Sequence, residues 1–168
     1  MNAHPAPTAA ARPIPAEVRF AIQDLYTRCA AALDSQRYAD WPDHFTEDAV
    51  YRMVPRENYD QGLPIAIIHC DGKGMIRDRA FTASETTIAQ PRWLRHFISG
   101  IAVCEADGGY DAQADVLVVQ TMQDRLTEIV MAGRYLDRVV LEEGRFLFAQ
   151  RLCVADTLLY PASVVAPV

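Results

Sequence analysis

The hydrophobic period of this chain changes at Leu94, and that change constrains the fold more than any other feature. From there apolar and polar residues alternate as in half-buried β-strands. Short turn sequences separate the alternating stretches, and Asp107-Gly108-Gly109 is the strongest hairpin signal among them. We therefore predict four hairpin-linked strands, at 97–105, 110–122 and 127–141 and around Phe146, Phe148, Leu152 and Val154.

One segment and one glycine within these strands predict local features of the sheet. The four consecutive apolar residues from Val116 to Val119 predict a segment that is buried on both faces of the sheet. Gly133 lies inside a strand, where glycine usually marks a bulge or a bend.

The chain before Leu94 begins with a helical pattern. Apolar residues recur every three or four positions between Val18 and Leu33, which gives one apolar face to a helix that starts near Pro15 and ends at Asp34. Residues 37–45 predict a shorter helical piece with Trp41 and Phe45 on one side. Such a helix would pack its apolar side against the core.

Shorter elements connect this helical region to the long strands. We predict a strand at 49–54 that Pro55 ends, a loop at 56–64, a short strand at 65–70, and a helix that Asp71 caps. Helices that precede a long antiparallel meander indicate an α+β domain, with a curved, mixed or antiparallel sheet wrapped round the N-terminal helices.

Composition excludes some classes of protein. The 168 residues suit one domain, and the net charge of −6 argues against nucleic-acid binding. The four cysteines lie in no metal-ligand spacing, and we interpret them as small buried residues. Without an apolar span or signal peptide, we expect no membrane contact and a cytoplasmic location. Residues 1–15 predict a flexible tail, and residues 16–168 one domain.

Local signals for catalysis are weak. The four histidines, His4, His44, His69 and His96, share no metal-binding spacing, and no Cys-x-His pair, phosphate-binding loop or nucleophile elbow is present. His96 has a catalytic interpretation, as a general base beside Asp40 or Tyr51. We favour a structural interpretation, in which carboxylates or backbone atoms hold His96 and its neighbour Arg95. We also favour structural roles for Asp34 and Asp40, since Asp after a helix or at a cap is usually structural.

Three other groups have structural or interface interpretations. Rings of Trp41, Phe45 and Tyr51 are better explained as core than as a ligand pocket. Residues Arg56, Glu57 and Asn58 follow a strand-ending proline, and a solvated loop and a subunit interface are equally good interpretations of them. Pairing of Arg with Asp across strands would explain residues 133–138, and the apolar residues 164–168 are expected to pack on this chain or on a neighbour.

Several short motifs, in their order and spacing, resemble the small (beta) subunit of Rieske-type aromatic-ring-hydroxylating dioxygenases. They span about residues 17–160, and the part from Pro55 to Pro64 is most similar to small subunits of salicylate hydroxylase and of terephthalate or benzoate dioxygenases. The motifs are Asp34, Trp41-Pro42, Phe45-Thr46-Glu47-Asp48, Tyr51-Arg52, Pro55-Arg56-Glu57-Asn58, Gly62-Leu63-Pro64, Met75, Asp78-Arg79, Arg95-His96, Gly133-Arg134-Tyr135-Leu136-Asp137-Arg138 and Arg151-Leu152-Cys153-Val154-Ala155-Asp156.

The resemblance implies a cone-like fold of the nuclear transport factor 2 (cystatin-like) type. It also implies a hexamer of three large and three small subunits, with a trimer of this chain inside it. In that family the large (alpha) subunit carries the Rieske [2Fe-2S] cluster, the mononuclear iron and the substrate pocket, and the small subunit is mainly structural. The expected role is therefore a non-catalytic subunit of an oxygenase that hydroxylates a benzoate-like ring, with no cofactor or metal in this chain.

We expect the chain to contact large subunits through a small set of residues: Arg56, Glu57, Asn58, Arg79, Trp93, Arg95 and His96. The alternative is a stand-alone enzyme of the same fold, a dehydratase, cyclase or isomerase that uses His96 with a carboxylate inside the cone. A filled interior would favour the subunit, and an open pocket with a converging carboxylate and histidine would favour the enzyme.

Overall fold

A computed structural model of the chain describes residues 14–86, 91–160 and 166–168. Its helices are α1 (Ala16–Asp34), a 3₁₀ helix (Tyr38–His44), α2 (Arg56–Asp60), α3 (Gly72–Phe81) and a π-helical turn (Thr82–Thr86). Its strands are β1 (Phe45–Pro55), β2 (Ile68–Asp71), β3 (Arg92–Ala106), β4 (Gly109–Met122), β5 (Glu128–Glu142) and β6 (Arg145–Ala155). Helices thus precede a long meander, as the sequence predicts.

The six strands form one mixed sheet in the order β2-β1-β6-β5-β4-β3. Neighbours pair antiparallel except β1 and β6, which are parallel. The α+β prediction with a mixed sheet is confirmed. The parallel pair lies within the sheet, so β2 and β3 form its two edges.

Register fixes which side chains face the helices. One row runs across the sheet through Tyr51, Arg151, Asp137 and Ala112, and all four are buried. Helix α1 lies over this inner face, because the ring of its Tyr26 meets Tyr135 of β5 and Phe148 of β6. Helix α1 and this face therefore enclose the interior of the domain.

The segment after Pro55 differs from the prediction. Residues Arg56–Asp60 form the short helix α2 instead of a loop. Pro55 fixes the backbone before the helix, and Glu57 favours its first turn. A helix of five residues is too short to show a 3.6-residue hydrophobic period, which explains the error.

Two predictions about the meander are also corrected. Val118 pairs with Met131 while Val119 pairs with Ile129, so the bulge leaves Val130 unopposed and does not lie at Gly133. At Gly133 the β-carbon of any other residue would lie 2.2 Å from the carbonyl oxygen of Val154, so close backbone approach is what requires glycine there.

The prediction of burial on both faces fails for the segment from Val116 to Val119. Val116 and Val118 face the interior and are buried, whereas Leu117 and Val119 are only half-buried. Within the described residues, the two longest helices, α1 and α3, pack on one face of the sheet, so the opposite face keeps partial contact with solvent.

Other predictions concern the chain ends, the cysteines and membrane contact. Residues 1–13 lie outside the described part, so the tail and the division at residue 16 stay predictions. Cys29, Cys70 and Cys153 are buried as predicted, while Cys104 is half-buried. None of the helices in the described ranges is long and apolar enough to cross a membrane, and the cytoplasmic location stays a prediction.

Candidate functional site

A buried ion pair occupies the centre of the interior. Arg151 of β6 and Asp137 of β5 are cross-strand neighbours whose side chains are 2% and 0% exposed. The Arg151 Nη2 donates to Asp137 Oδ2 at 3.0 Å, and its Nε donates to the same oxygen at 3.2 Å. This two-point pairing satisfies both charges where water cannot.

Aromatic rings surround the guanidinium of Arg151. Its central carbon lies 3.8 Å from the ring centroid of Phe148, 4.3 Å from that of Tyr135 and 5.0 Å from that of Tyr26. Its Nη1 donates to the Cys29 sulfur at 3.4 Å. Cation–π contacts of this kind are strongest when the cation is desolvated. The ion pair and its rings therefore occupy the interior between α1 and the inner face of the sheet.

The electrostatics of this cluster do not suit acid–base chemistry. Burial raises the pKa of Asp137, and the charge of Arg151 opposes that rise. Burial alone would lower the pKa of Arg151, but Asp137 outweighs it and keeps that pKa well above its usual value. Burial also raises the pKa of the Cys29 thiol, which keeps it neutral. No group of the cluster has both the exposure and the ionisation that a nucleophile or base needs.

His96 pairs with a carboxylate other than the predicted one. Its Nδ1 lies 2.6 Å from Asp34 Oδ1, and its backbone N–H donates to Asp34 Oδ2 at 3.2 Å. Asp40 instead binds Arg37 at the surface, and the Tyr51 hydroxyl binds Val168. Pairing of His96 with Asp40 or Tyr51 is therefore wrong, and the structural interpretation of Asp34 holds, because it fastens the end of α1 to β3.

The remaining histidines form no site with these residues. The His44 Nδ1 lies 3.1 Å from the Trp41 carbonyl oxygen, and burial lowers the pKa of His44. His69 is exposed on the edge strand β2. Over residues 14–86, 91–160 and 166–168, no three His, Cys, Asp or Glu side chains are grouped so that they could hold a metal ion.

The predicted interface residues near Pro55 reach the surface: Glu57 is exposed, and Arg56 and Asn58 are half-buried. The Arg56 Nη2 binds Asp156 Oδ1 at 2.6 Å, and the Asn58 side chain donates to the carbonyl oxygen of Ile65 at 3.1 Å. Exposed leucine and isoleucine side chains follow these residues in the sequence, in the segment after α2 and in the segment after Asp156. We call this set the α2 surface: Arg56, Glu57, Asn58, Leu63, Ile65, Leu158 and Leu159.

A second exposed surface lies on the face of the sheet opposite the helices. Trp93 and Phe97 of β3 are 55% and 58% exposed, with Arg95 between them. Cross-strand neighbours continue this apolar area onto β4 and β5. We call this set the outer sheet surface: Trp93, Arg95, Phe97, Leu117, Val119 and Ile129. Phe97 and Ile129 were not among the residues predicted for an interface, although both lie in strands whose alternating pattern puts them on one face.

Two of the predicted interface residues belong to neither surface. The His96 side chain is 1% exposed and faces the interior, on the opposite side of β3 from Trp93 and Arg95. Arg79 lies half-buried in the last turn of α3, where its charge opposes the rise that burial causes in the pKa of Cys70. Their predicted interface roles stay untested.

Both surfaces lie at the same end of the sheet. Pro55 is in register with Ala155, which pairs with Gly133, and Gly133 pairs with Val116 of β4. Because β1 and β3 run in opposite directions, the end of β1 and the start of β3 lie at the same edge of the sheet. The α2 surface follows the end of β1, and Trp93 lies near the start of β3. Four strand spacings of about 4.8 Å put them roughly 19 Å apart, a span that one large partner can cover.

Comparisons with known proteins agree with this geometry. Residues 15–151 match the family model of the SnoaL-like domain. The chain is 37% identical to the anthranilate 1,2-dioxygenase small subunit of Burkholderia cepacia over 82% of this chain and 86% of that protein. It is 28% identical to a terephthalate 1,2-dioxygenase terminal oxygenase component subunit beta 2 of a Comamonas species, over 76% and 84%.

A solved structure gives the same result. The crystal structure of a Novosphingobium aromaticivorans protein, assigned as the beta subunit of an aromatic-ring-hydroxylating dioxygenase, superposes with a TM-score of 0.81 at 34% identity. The superposition covers 90% of this chain and 97% of that one. Sequence and fold thus agree on one group of relatives.

Proposed function

Because this chain belongs to the small subunits of aromatic-ring-hydroxylating dioxygenases and carries their SnoaL-like domain, we propose that it is the structural beta subunit of such an oxygenase. The observation that carries the non-catalytic role is the filled interior. Arg151, Asp137 and the rings of Tyr26, Tyr135 and Phe148 occupy the space in which a cone-fold enzyme would bind substrate.

The partner that this role requires is a large oxygenase subunit, which in this proposal holds the Rieske cluster, the mononuclear iron and the aromatic substrate. The relatives named for anthranilate and terephthalate dioxygenases support a benzoate-like substrate. We extend the proposal to three large and three small subunits, with the small subunits forming a trimer within the assembly.

The two exposed surfaces support this assembly. Together Trp93, Phe97, Leu117, Val119 and Ile129 expose on the order of 400 Å² of apolar area, the size of the largest apolar patch on a typical protein, and such patches often mark interaction sites. About 800 Å² per partner is usual for a stable interface, so the α2 surface would add the rest. We propose that both surfaces are covered in the hexamer.

The test is co-expression of this chain with its large subunit, sought as a neighbouring reading frame that encodes Cys-x-His pairs. We expect the pair to co-purify at a mass near that of a hexamer and to hydroxylate a carboxylated aromatic ring. The chain purified alone should contain no stoichiometric iron. Stoichiometric iron in the chain alone would contradict the proposal.

Surface variants locate the contacts. Phe97→Ser and Ile65→Ser should each lower recovery of the complex by about tenfold or more, since aromatic and aliphatic anchors dominate interfaces. Leu141→Ser is the matched control, because Leu141 is 58% exposed at the opposite end of the sheet. All three should unfold at temperatures close to that of the unaltered chain. An equal loss of complex for Leu141→Ser would refute the assignment of these surfaces.

The enzyme alternative has one observation in its favour, the carboxylate–histidine pair of Asp34 and His96. The filled interior weighs against it. Turnover of a small hydroxylated ring by the chain alone, lost in His96→Gln, would favour that alternative instead.

A further inference from the structure

The Tyr51 hydroxyl makes two hydrogen bonds to a single residue that is distant in the sequence. It donates to the Val168 carbonyl oxygen at 2.9 Å and accepts from the Val168 amide at 3.1 Å. The N–H belongs to the Pro167–Val168 peptide bond and the oxygen to the carboxyl carbon of Val168, so the contact recognises the main chain of one residue and not a particular side chain. Such a reciprocal pair uses the whole hydrogen-bonding capacity of a phenol.

The surroundings of this contact are apolar and closed to water. Tyr51, Ala166 and Val168 are all buried and belong to one hydrophobic cluster with Cys70 and Ile76. The Trp41 ring meets the Tyr51 ring edge-on, with centroids 5.1 Å apart. The environment thus has the composition of a small-molecule site: apolar walls and one well-placed polar group.

Residues 166–168 fill this environment from outside the sheet and helices. Five residues of the sequence separate them from Tyr160, the last residue described before them. A short tether of this kind gives an effective concentration of about millimolar, which excludes free ligands that bind no more tightly than that.

From these observations we propose that the interior beside Tyr51 is a ligand-binding site that residues 166–168 occupy as a tethered ligand. When they are removed, the site takes a small N-acylated apolar amino acid, which presents an amide N–H and a carboxyl oxygen on either side of one carbon atom, as Val168 does. The phenol then lacks both partners, and a buried hydroxyl without partners favours any ligand that restores them. The proposal does not depend on the oxygenase assignment.

The test uses a variant that ends at residue 165 and the acetylated tripeptide Ala-Pro-Val as the probe. A Trp93→Phe background leaves Trp41 as the fluorescent reporter, since the chain has two tryptophans. We expect saturable binding by the shortened chain, and an apparent affinity at least tenfold weaker for the full-length chain.

Two matched changes test the chemistry of recognition. The same tripeptide with an N-methylated valine lacks the donor, and Tyr51→Phe lacks the hydroxyl. Each should weaken binding to the shortened chain by about tenfold, which corresponds to 1.4 kcal/mol. Equal binding of the methylated peptide, or equal binding by the full-length chain, would overturn the proposal.

A second variant covers the case in which the shortened chain does not fold. Val168→Lys puts a charge into the buried cluster, so the segment should leave the site while the chain keeps its length. This variant should also bind the tripeptide. If neither variant folds and added tripeptide does not restore folding, residues 166–168 are an essential part of the core and the proposal is wrong.

Discussion

Replacing Arg151 with methionine is expected to lower the free energy of unfolding by about 4 kcal/mol. Methionine keeps much of the volume but leaves the Asp137 carboxylate buried without a counterion, which costs about 3–5 kcal/mol. It also removes three cation–π contacts, of which the 3.8 Å contact with Phe148 is the shortest. A domain whose total stability is about 5–15 kcal/mol would lose a large part of it.

Two further variants separate the charge from the packing. Combining Arg151→Met with Asp137→Leu removes both charges, and stability should return to within about 2 kcal/mol of the unaltered chain. Arg138→Met is the control, because Arg138 pairs with Asp111 at 3.1 Å while both are partly exposed. It should cost less than about 1 kcal/mol.

The loss in Arg151→Met should also depend on pH. Burial raises the pKa of Asp137, and Arg151 opposes the rise, so removing Arg151 raises that pKa further above the unfolded value of about 3.9. A carboxyl group with a raised pKa binds its proton more tightly in the folded state. The stability that Asp137 contributes is therefore fully present below its unfolded-state pKa, and it is lost as the pH rises through its folded-state pKa. The destabilisation should be smallest near pH 4 and largest at neutral pH.

Urea unfolding followed by circular dichroism at pH 5 and pH 8 gives the measurement, with an unchanged dependence on urea as the check on two-state behaviour. In a thermal scan, 4 kcal/mol corresponds to a fall of about 8–16 °C for a chain of this size. A loss under about 1 kcal/mol, a double variant as unstable as the single one, or a larger loss at pH 5 would refute the reasoning.

Further variants test the backbone and the fastening of α1. Gly133→Ala should cost about 2–3 kcal/mol in urea unfolding, since its β-carbon would meet the Val154 carbonyl oxygen, whereas Gly74→Ala has open space in α3 and should gain up to about 1 kcal/mol. Asp34→Asn should cost about 1–3 kcal/mol by the same measurement, because it weakens the bond to the buried His96 ring. Its control, Asp40→Asn, should cost less than about 1 kcal/mol; an equal loss for both would contradict the role of Asp34.

Local sequence pattern predicts the elements well where they are long. The recurrence of apolar residues every three or four positions from Val18 to Leu33 predicts α1, and the Asp107-Gly108-Gly109 turn predicts the β3–β4 hairpin. Both signals depend only on residues that are close in the sequence. The core role of Trp41, Phe45 and Tyr51 is confirmed, since all three are fully buried. Large aromatic rings near a helix–strand junction are predictable as core because their burial is strongly favourable.

Local sequence pattern does not predict which side chains or strands pair when they are far apart in the sequence. Asp34 and His96 are 62 residues apart, and no local feature distinguishes Asp34 from Asp40 as the partner. The first strand was predicted to begin at residue 49, yet β1 begins at Phe45 because Phe45 pairs with Phe148 of β6 before an irregularity in register. Tertiary pairing sets such boundaries, and it leaves no periodic signal.

The parallel pairing of β1 with β6 has a consequence for how the chain folds. Tyr51 lies opposite Arg151, 100 residues later, so this pair closes one of the longest loops in the described fold. Contacts of such high sequence separation slow folding, since loop entropy must be lost before they contribute. On the ribosome, β1 would emerge long before β6, with its apolar inner face exposed. We therefore expect productive folding to wait for β6, and expression yield to depend on how well the nascent helical half is protected from aggregation until then.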